Sequence, residues 1–217
     1  MNPKWAEENL QTIRTLMERS ALYRRALAPV MIYVGTAGII GGIICWKSGI
    51  VDSGLGFVVF WLLISLVALL GTFFLVRRQA LKDSEPFWSP PAKRIAQALF
   101  PAFTIGGVIG CIIGYEDFVG ATNFGLHTTL FILIPVWCLA YGCAICSAGF
   151  FMQRGIKIFG WLFILTGFYM ILVPVCKFRF DGISFVSPHL LMGGIFGGLH
   201  FAYGIYLYFT ERKNPVA

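Results

Sequence analysis

Six long apolar runs, separated by short clusters of charge, set the pattern of this chain. Between Arg25 and Lys47 lie 21 residues without an Asp, Glu, Lys or Arg, and between Asp52 and Arg77 there are 24. The intervals Arg94–Glu116, Asp117–Arg154, Lys157–Lys177 and Asp181–Glu211 hold 21, 36, 19 and 29. A helix that crosses a bilayer core needs about 20 mostly apolar residues. The pattern predicts an all-α membrane protein with six transmembrane helices, near 27–46, 55–76, 95–115, 127–150, 157–176 and 189–209. The interval of 36 accommodates one span and an uncharged loop.

Residues 1–26 read differently. Asn2 is a cap candidate and Pro3 suits a first helical position. Leu10, Ile13, Leu16, Met17 and Ala21 recur at spacings of three and four, so one stripe of a helix is apolar. Arg14, Arg24 and Arg25 lie off that stripe. The expected organisation is an amphipathic helix over 1–26, cytoplasmic or interfacial, a membrane domain over 27–213 and a tail over 214–217. The polar start does not match a secretory signal, which places the mature start near Met1.

Composition sharpens the class. Hydrophobic residues make up 58% of the chain and charged ones 12%, against ~25% charged in soluble proteins. That excludes disorder and a water-soluble enzyme. The net charge of +7 is explained by where it sits. With the N-terminus cytoplasmic, the outer loops carry only Lys47, Lys177 and Arg179, which leaves 14 of the 17 Lys and Arg inside. The positive-inside rule then puts both termini in the cytoplasm, and no nucleic-acid partner is required. The six cysteines fall in apolar stretches or at their ends, which argues against a secreted disulfide framework. Cys143 and Cys146 form a CxxC, but with no second pair to complete a zinc site.

Small residues recur every fourth position, a spacing that lets helix backbones approach in lipid. The packing candidates are Gly38 and Gly42, then Gly106, Gly110 and Gly114, then Gly193 and Gly197, with Ala140, Ala144 and Ala148 in the fourth span. The second span is bulky all round and is expected to face lipid. Trp46, Trp61 and Trp161 read as interfacial anchors. These rows also offer a surface for homo-oligomers, and the N-terminal helix offers one for a membrane or cytoplasmic protein partner.

Intramembrane polar groups are the default pointers to function. The spans contain no Asp, Glu, Lys or Arg in their interiors, which removes a carboxylate relay, a retinal Schiff base and paired catalytic acids. No catalytic residue is assigned. The three histidines remain. His200 falls in mid-span, His189 starts the same span eleven residues earlier and nearly on the same face, and His127 starts the fourth span at the depth of His189. His200 with Tyr203, Gly197 and Gly204 forms a candidate ligand site. His127, His189 and His200 are candidate metal or haem ligands, since imidazole beside glycine suits haem b. A mid-membrane bis-His site would still lack its second histidine.

The stretches ENLQTIRTLMERSALYRRALAP (8–29), VRRQALKDSEPFWSPPAKR (76–94) and GGLHFAYGIYLYFTERK (197–213) resemble a group of small bacterial six-helix integral membrane proteins with no assigned activity. The resemblance implies a bacterial inner-membrane location and brings no catalytic motif. The functional expectation is binding, transport or sensing of a small or lipophilic molecule without enzymatic chemistry. The alternatives are a haem- or quinone-linked redox protein using the histidines, and an accessory subunit of a larger membrane complex.

Overall fold

A computed structural model describes the backbone of residues 3–49, 53–84, 87–88, 90–120, 126–150, 152, 154–175 and 187–213. Side chains are described for 26–49, 53–84, 87–88, 92–120, 132–150, 152, 155–172 and 187–210. The described residues are helical and contain no strand. In order they form α1 (Pro3–Ser48), α2 (Gly54–Lys82), α3 (Pro90–Val119), α4 (Leu126–Ala148), α5 (Arg154–Val175), α6 (Pro188–Met192), a π-helical turn (Gly193–Gly198) and α7 (Leu199–Lys213). Five stretches are long and apolar enough to cross a membrane: Ala26–Ser48, Gly54–Lys82, Ala92–Val119, Gly155–Leu172 and Pro188–Thr210. A shorter apolar helix, Ile132–Ala148, is the described part of α4.

Two features differ in kind from the hydropathy pattern. The expected N-terminal helix and first span are one unbroken helix, α1, of 46 residues. Pro29 lies inside it, where it gives up one ladder hydrogen bond without ending the helix. The last span is not uniformly α-helical, because GGIFGG winds into the wider i→i+5 turn.

Local chemistry closes the helix ends. The Ser53 side chain accepts from Gly56 N at 3.1 Å and caps α2. The Asp117 carboxylate accepts from Leu55 N at 3.2 Å, which ties one end of α3 to the positive end of the α2 dipole. Gly49 and Gly120, at φ of +58° and +64°, end α1 and α3 in the left-handed conformation that glycine adopts without a Cβ penalty.

The exterior is apolar. Leu63, Leu66, Leu70 and Phe74 on α2, and Leu162, Leu165 and Leu172 on α5, are exposed. Outward-facing hydroxyls satisfy themselves locally: Thr104 donates to Phe100 O at 3.0 Å, Thr166 to Leu162 O at 2.7 Å and Thr210 to Tyr206 O at 2.8 Å. In a solvent without hydrogen-bonding partners this internal pairing is what a polar group requires. The bundle has the character of a polytopic membrane protein.

Its core joins Phe57, Val58 and Trp61 of α2 to Leu133, Ile134, Trp137 and Cys138 of α4 and to Phe159 and Phe163 of α5. Trp61, expected at an interface, is instead 4% exposed, whereas Trp46 and Trp161 are exposed. Most of α2 is exposed or half-buried, while Phe57, Val58 and Trp61 near its start turn inward.

Candidate functional site

The bundle holds a half-open cavity of about 350 Å³. Its wall is built from α1 (Ala26 to Gly38), α2 (Trp61 to Val76), α3 (Ile95 to Gly107), α4 (Trp137 to Ala148) and the segment from Met192 to His200. The space lies toward the ends of α2 and α3 that carry Arg77, Arg78, Lys93 and Arg94, away from the end joined by Asp117.

His200 sits on this wall, 2% exposed. Its Nδ1 lies 2.6 Å from Phe196 O, and its Nε2 lies 2.6 Å from Tyr141 Oη. A carbonyl only accepts, so Nδ1 carries the proton. In the neutral ring Nε2 then accepts from the Tyr141 hydroxyl. Rings of Tyr141, Phe159 and Phe163 surround the imidazole at 5.4, 5.0 and 5.6 Å. The pair is a neutral, mutually satisfied hydrogen-bond unit inside an apolar core. Neither charge spacing nor hydropathy singles out Tyr141 in the sequence. Its signal was a phenol hydroxyl in mid-span.

His189 occupies a separate place. It is 3% exposed, its Nε2 is 3.6 Å from Cys45 Sγ, and Phe57, Phe60 and Trp61 ring it at 5.0, 5.8 and 6.5 Å. The π-turn explains the separation from His200. A wider turn takes up extra residues without completing the usual rotation, so positions before and after it no longer share an α-helical face. The side chain of His127, in the first turn of α4, lies outside the described residues, as does the suggested pairing with His189.

The glycines of the last span face α1 at backbone distance. A Cβ on Gly193 would fall 3.1 Å from Gly42 Cα, one on Gly197 would fall 2.5 Å from Ile39 N, and one on Gly204 would fall 2.7 Å from Ile32 N. Reciprocally, a Cβ on Gly38 would lie 2.9 Å from Gly197 Cα, and one on Gly42 would lie 2.7 Å from His189 O. On α3, Gly106 and Gly110 face the Trp137 indole, and Gly114 faces Leu55 and Val58. In the fourth span Gly142 makes the backbone approach, with a Cβ placed 2.7 Å from Gly160 O of α5. Of the candidate ligand residues, His200 and Gly197 line the cavity. Tyr203 stacks on Phe159 at 4.7 Å, and Gly204 packs on α1.

At His200 both ring nitrogens are already engaged. Iron at His200 Nε2 would have to displace Tyr141, and iron at Nδ1 would have to displace the Phe196 carbonyl. Among the described residues no group of three or more His, Cys, Asp or Glu comes together. Cys143 is exposed and Cys146 donates to Lys157 O at 3.6 Å. No protein-family model, curated protein or solved structure matches the chain.

Proposed function

We propose that this protein spans a bacterial inner membrane six times, with both termini cytoplasmic, and binds a small lipophilic molecule within the bundle without catalysing a reaction on it. The observation that carries the reading is the cavity. Its volume falls within the ~300–1,000 Å³ range of small-molecule sites, and its wall is apolar around one His–Tyr pair. The orientation rests on charge. Arg77, Arg78, Lys82, Lys93 and Arg94 gather at one end of α2 and α3, while Glu116 and Asp117 mark the other.

Gly107 supplies the test. It lines the cavity, and a Cβ there meets nothing within 4 Å. Gly107→Leu therefore adds bulk at the cavity wall with its Cβ clear of any packed neighbour. Protein purified from membranes in mild detergent should release a lipophile near one equivalent on solvent extraction. The Gly107→Leu protein should release at least fivefold less, at an unchanged unfolding temperature. Equal extracts from both would remove the cavity from the proposal.

A further inference from the structure

The cavity has a shape as well as a volume, and this inference rests on the binding role proposed above. Its wall runs along α1 from Ala26 to Gly38 and along α3 from Ile95 to Gly107. Twelve residue steps on each helix, at about 1.5 Å per residue, make a slot about 18 Å long. One leaflet of a bilayer supplies half of a hydrocarbon core about 30 Å thick. The slot therefore runs along the direction of the lipid chains and matches the depth of a single leaflet.

Its two ends differ. Beyond Gly107 the space is filled, since a Cβ on Gly110 would lie 3.0 Å from Trp137 and 3.4 Å from Val58. Trp61, Trp137 and Met192, all buried, line this closed end. The other end lies at Val76 and Ile95, at the level of the exposed cations Arg77, Arg78 and Lys93. The slot also opens sideways. Leu69 on α2 and Phe103 on α3 line it and are 47% and 38% exposed, so the gap between these helices gives onto the bilayer.

The wall suits hydrocarbon. Among the described residues no Asp, Glu, Lys or Arg lines the space, so a charge inside would go uncompensated in an apolar medium. The polar groups of the wall are already paired within the protein. Tyr141 donates to His200, His200 to Phe196 O, Ser65 to Leu62 O and Trp137 to Gly106 O. The half-buried Thr72 hydroxyl can turn toward a carbonyl of its own helix, and Trp61 Nε1 is buried from contact. A ligand oxygen or nitrogen placed here would meet no side-chain partner among the described residues.

We infer that the slot holds one acyl chain of an anionic phospholipid of the cytoplasmic leaflet, its terminal methyl at Trp137 and its head outside the slot. The chain enters sideways between α2 and α3. The phosphate then stands at the depth of Arg77, Arg78 and Lys93, where basic residues attract anionic lipid. The choice of leaflet follows from the orientation proposed above.

The full chain in phosphatidylcholine nanodiscs tests this, with added phosphatidylglycerol carrying a photoreactive diazirine near either end of one palmitoyl chain. After irradiation, peptide mass spectrometry reads where each label falls. The methyl-end label should reach Trp137 and Met192, and the carboxyl-end label should reach Val76 and Ile95. Gly107→Leu should cut the labelling of Trp137 and Met192 about fivefold or more, while labelling of the exposed Leu63 and Leu66 stays unchanged. The same labelled chain on phosphatidylcholine should reach the slot about fivefold less, as expected for one cation near the surface. Equal entry by the two lipids would overturn the anionic head. Labels confined to Leu63 and Leu66, or found in reversed order, would overturn the acyl-chain assignment. The order is read on the wild-type protein, so it decides even if Gly107→Leu does not fold. With the assignment overturned, a Gly107-dependent lipophile in solvent extracts would keep the cavity's binding role, and equal extracts from both proteins would overturn that as well.

Discussion

Two glycine rows in this bundle have the same four-residue spacing and different neighbours. Gly38 and Gly42 of α1 lie against Gly193 and Gly197, main chain on main chain. Gly106, Gly110 and Gly114 of α3 lie against side chains instead: the Trp137 indole for the first two, and Leu55 and Val58 for the last. Helices in lipid gain little from hydrophobic driving force and depend on close packing, and both rows supply it. They differ in what can give way. A backbone within a packed helix cannot retreat from a new methyl group, whereas an indole or leucine side chain can shift by a few tenths of an ångström. Spacing alone therefore identifies a seam without saying how intolerant it is.

The sharpest way to break the α1 seam is Gly197→Leu, whose Cβ alone lands 2.5 Å from Ile39 N. We expect a loss of about 3 kcal/mol or more, seen as aggregated or low-yield protein on size-exclusion chromatography. Adding a single methyl at matched sites compares the two rows directly. Gly42→Ala places it 2.7 Å from His189 O, and Gly110→Ala places it 3.0 Å from Trp137 Cζ2. The first should cost about 1–3 kcal/mol and the second under about 1, read as unfolding-temperature shifts in one detergent. Equal shifts would end the distinction drawn here. The smallest effect belongs to Gly194→Ala and Gly198→Ala. These sites adjoin the seam but have nothing within 4 Å, so stability should stay within about 0.5 kcal/mol of wild type.

The helices were legible because span length and charge placement are written into local sequence. The start of α2, the end of α3 and the last span all fall within a few residues of the uncharged intervals. Which residue meets which across the bundle was not legible. The Tyr141–His200 bond joins positions 59 apart in sequence, and periodicity within one helix is silent about the rotation of its neighbour. Trp61 looked like a membrane-interface anchor for the same reason. Only the packing of α2 on α4 and His189 turns its indole inward. The histidines misled through an assumption of regularity, since eleven α-helical residues return a helix to nearly the same face and a π-turn within those eleven does not.

That turn makes backbone winding, rather than chemistry, the setting that holds the site together. An α-helix advances about 100° per residue, and a π-turn fits one extra residue into nearly the same rotation, so rewinding Gly193–Gly198 as regular α-helix at unchanged length would swing everything beyond it by roughly a quarter turn. The approach of Gly193 to Gly42 of α1 would remain while His200 rotated off Tyr141, without any side chain having changed identity. The hexapeptide works as a phase setting between two halves of one span.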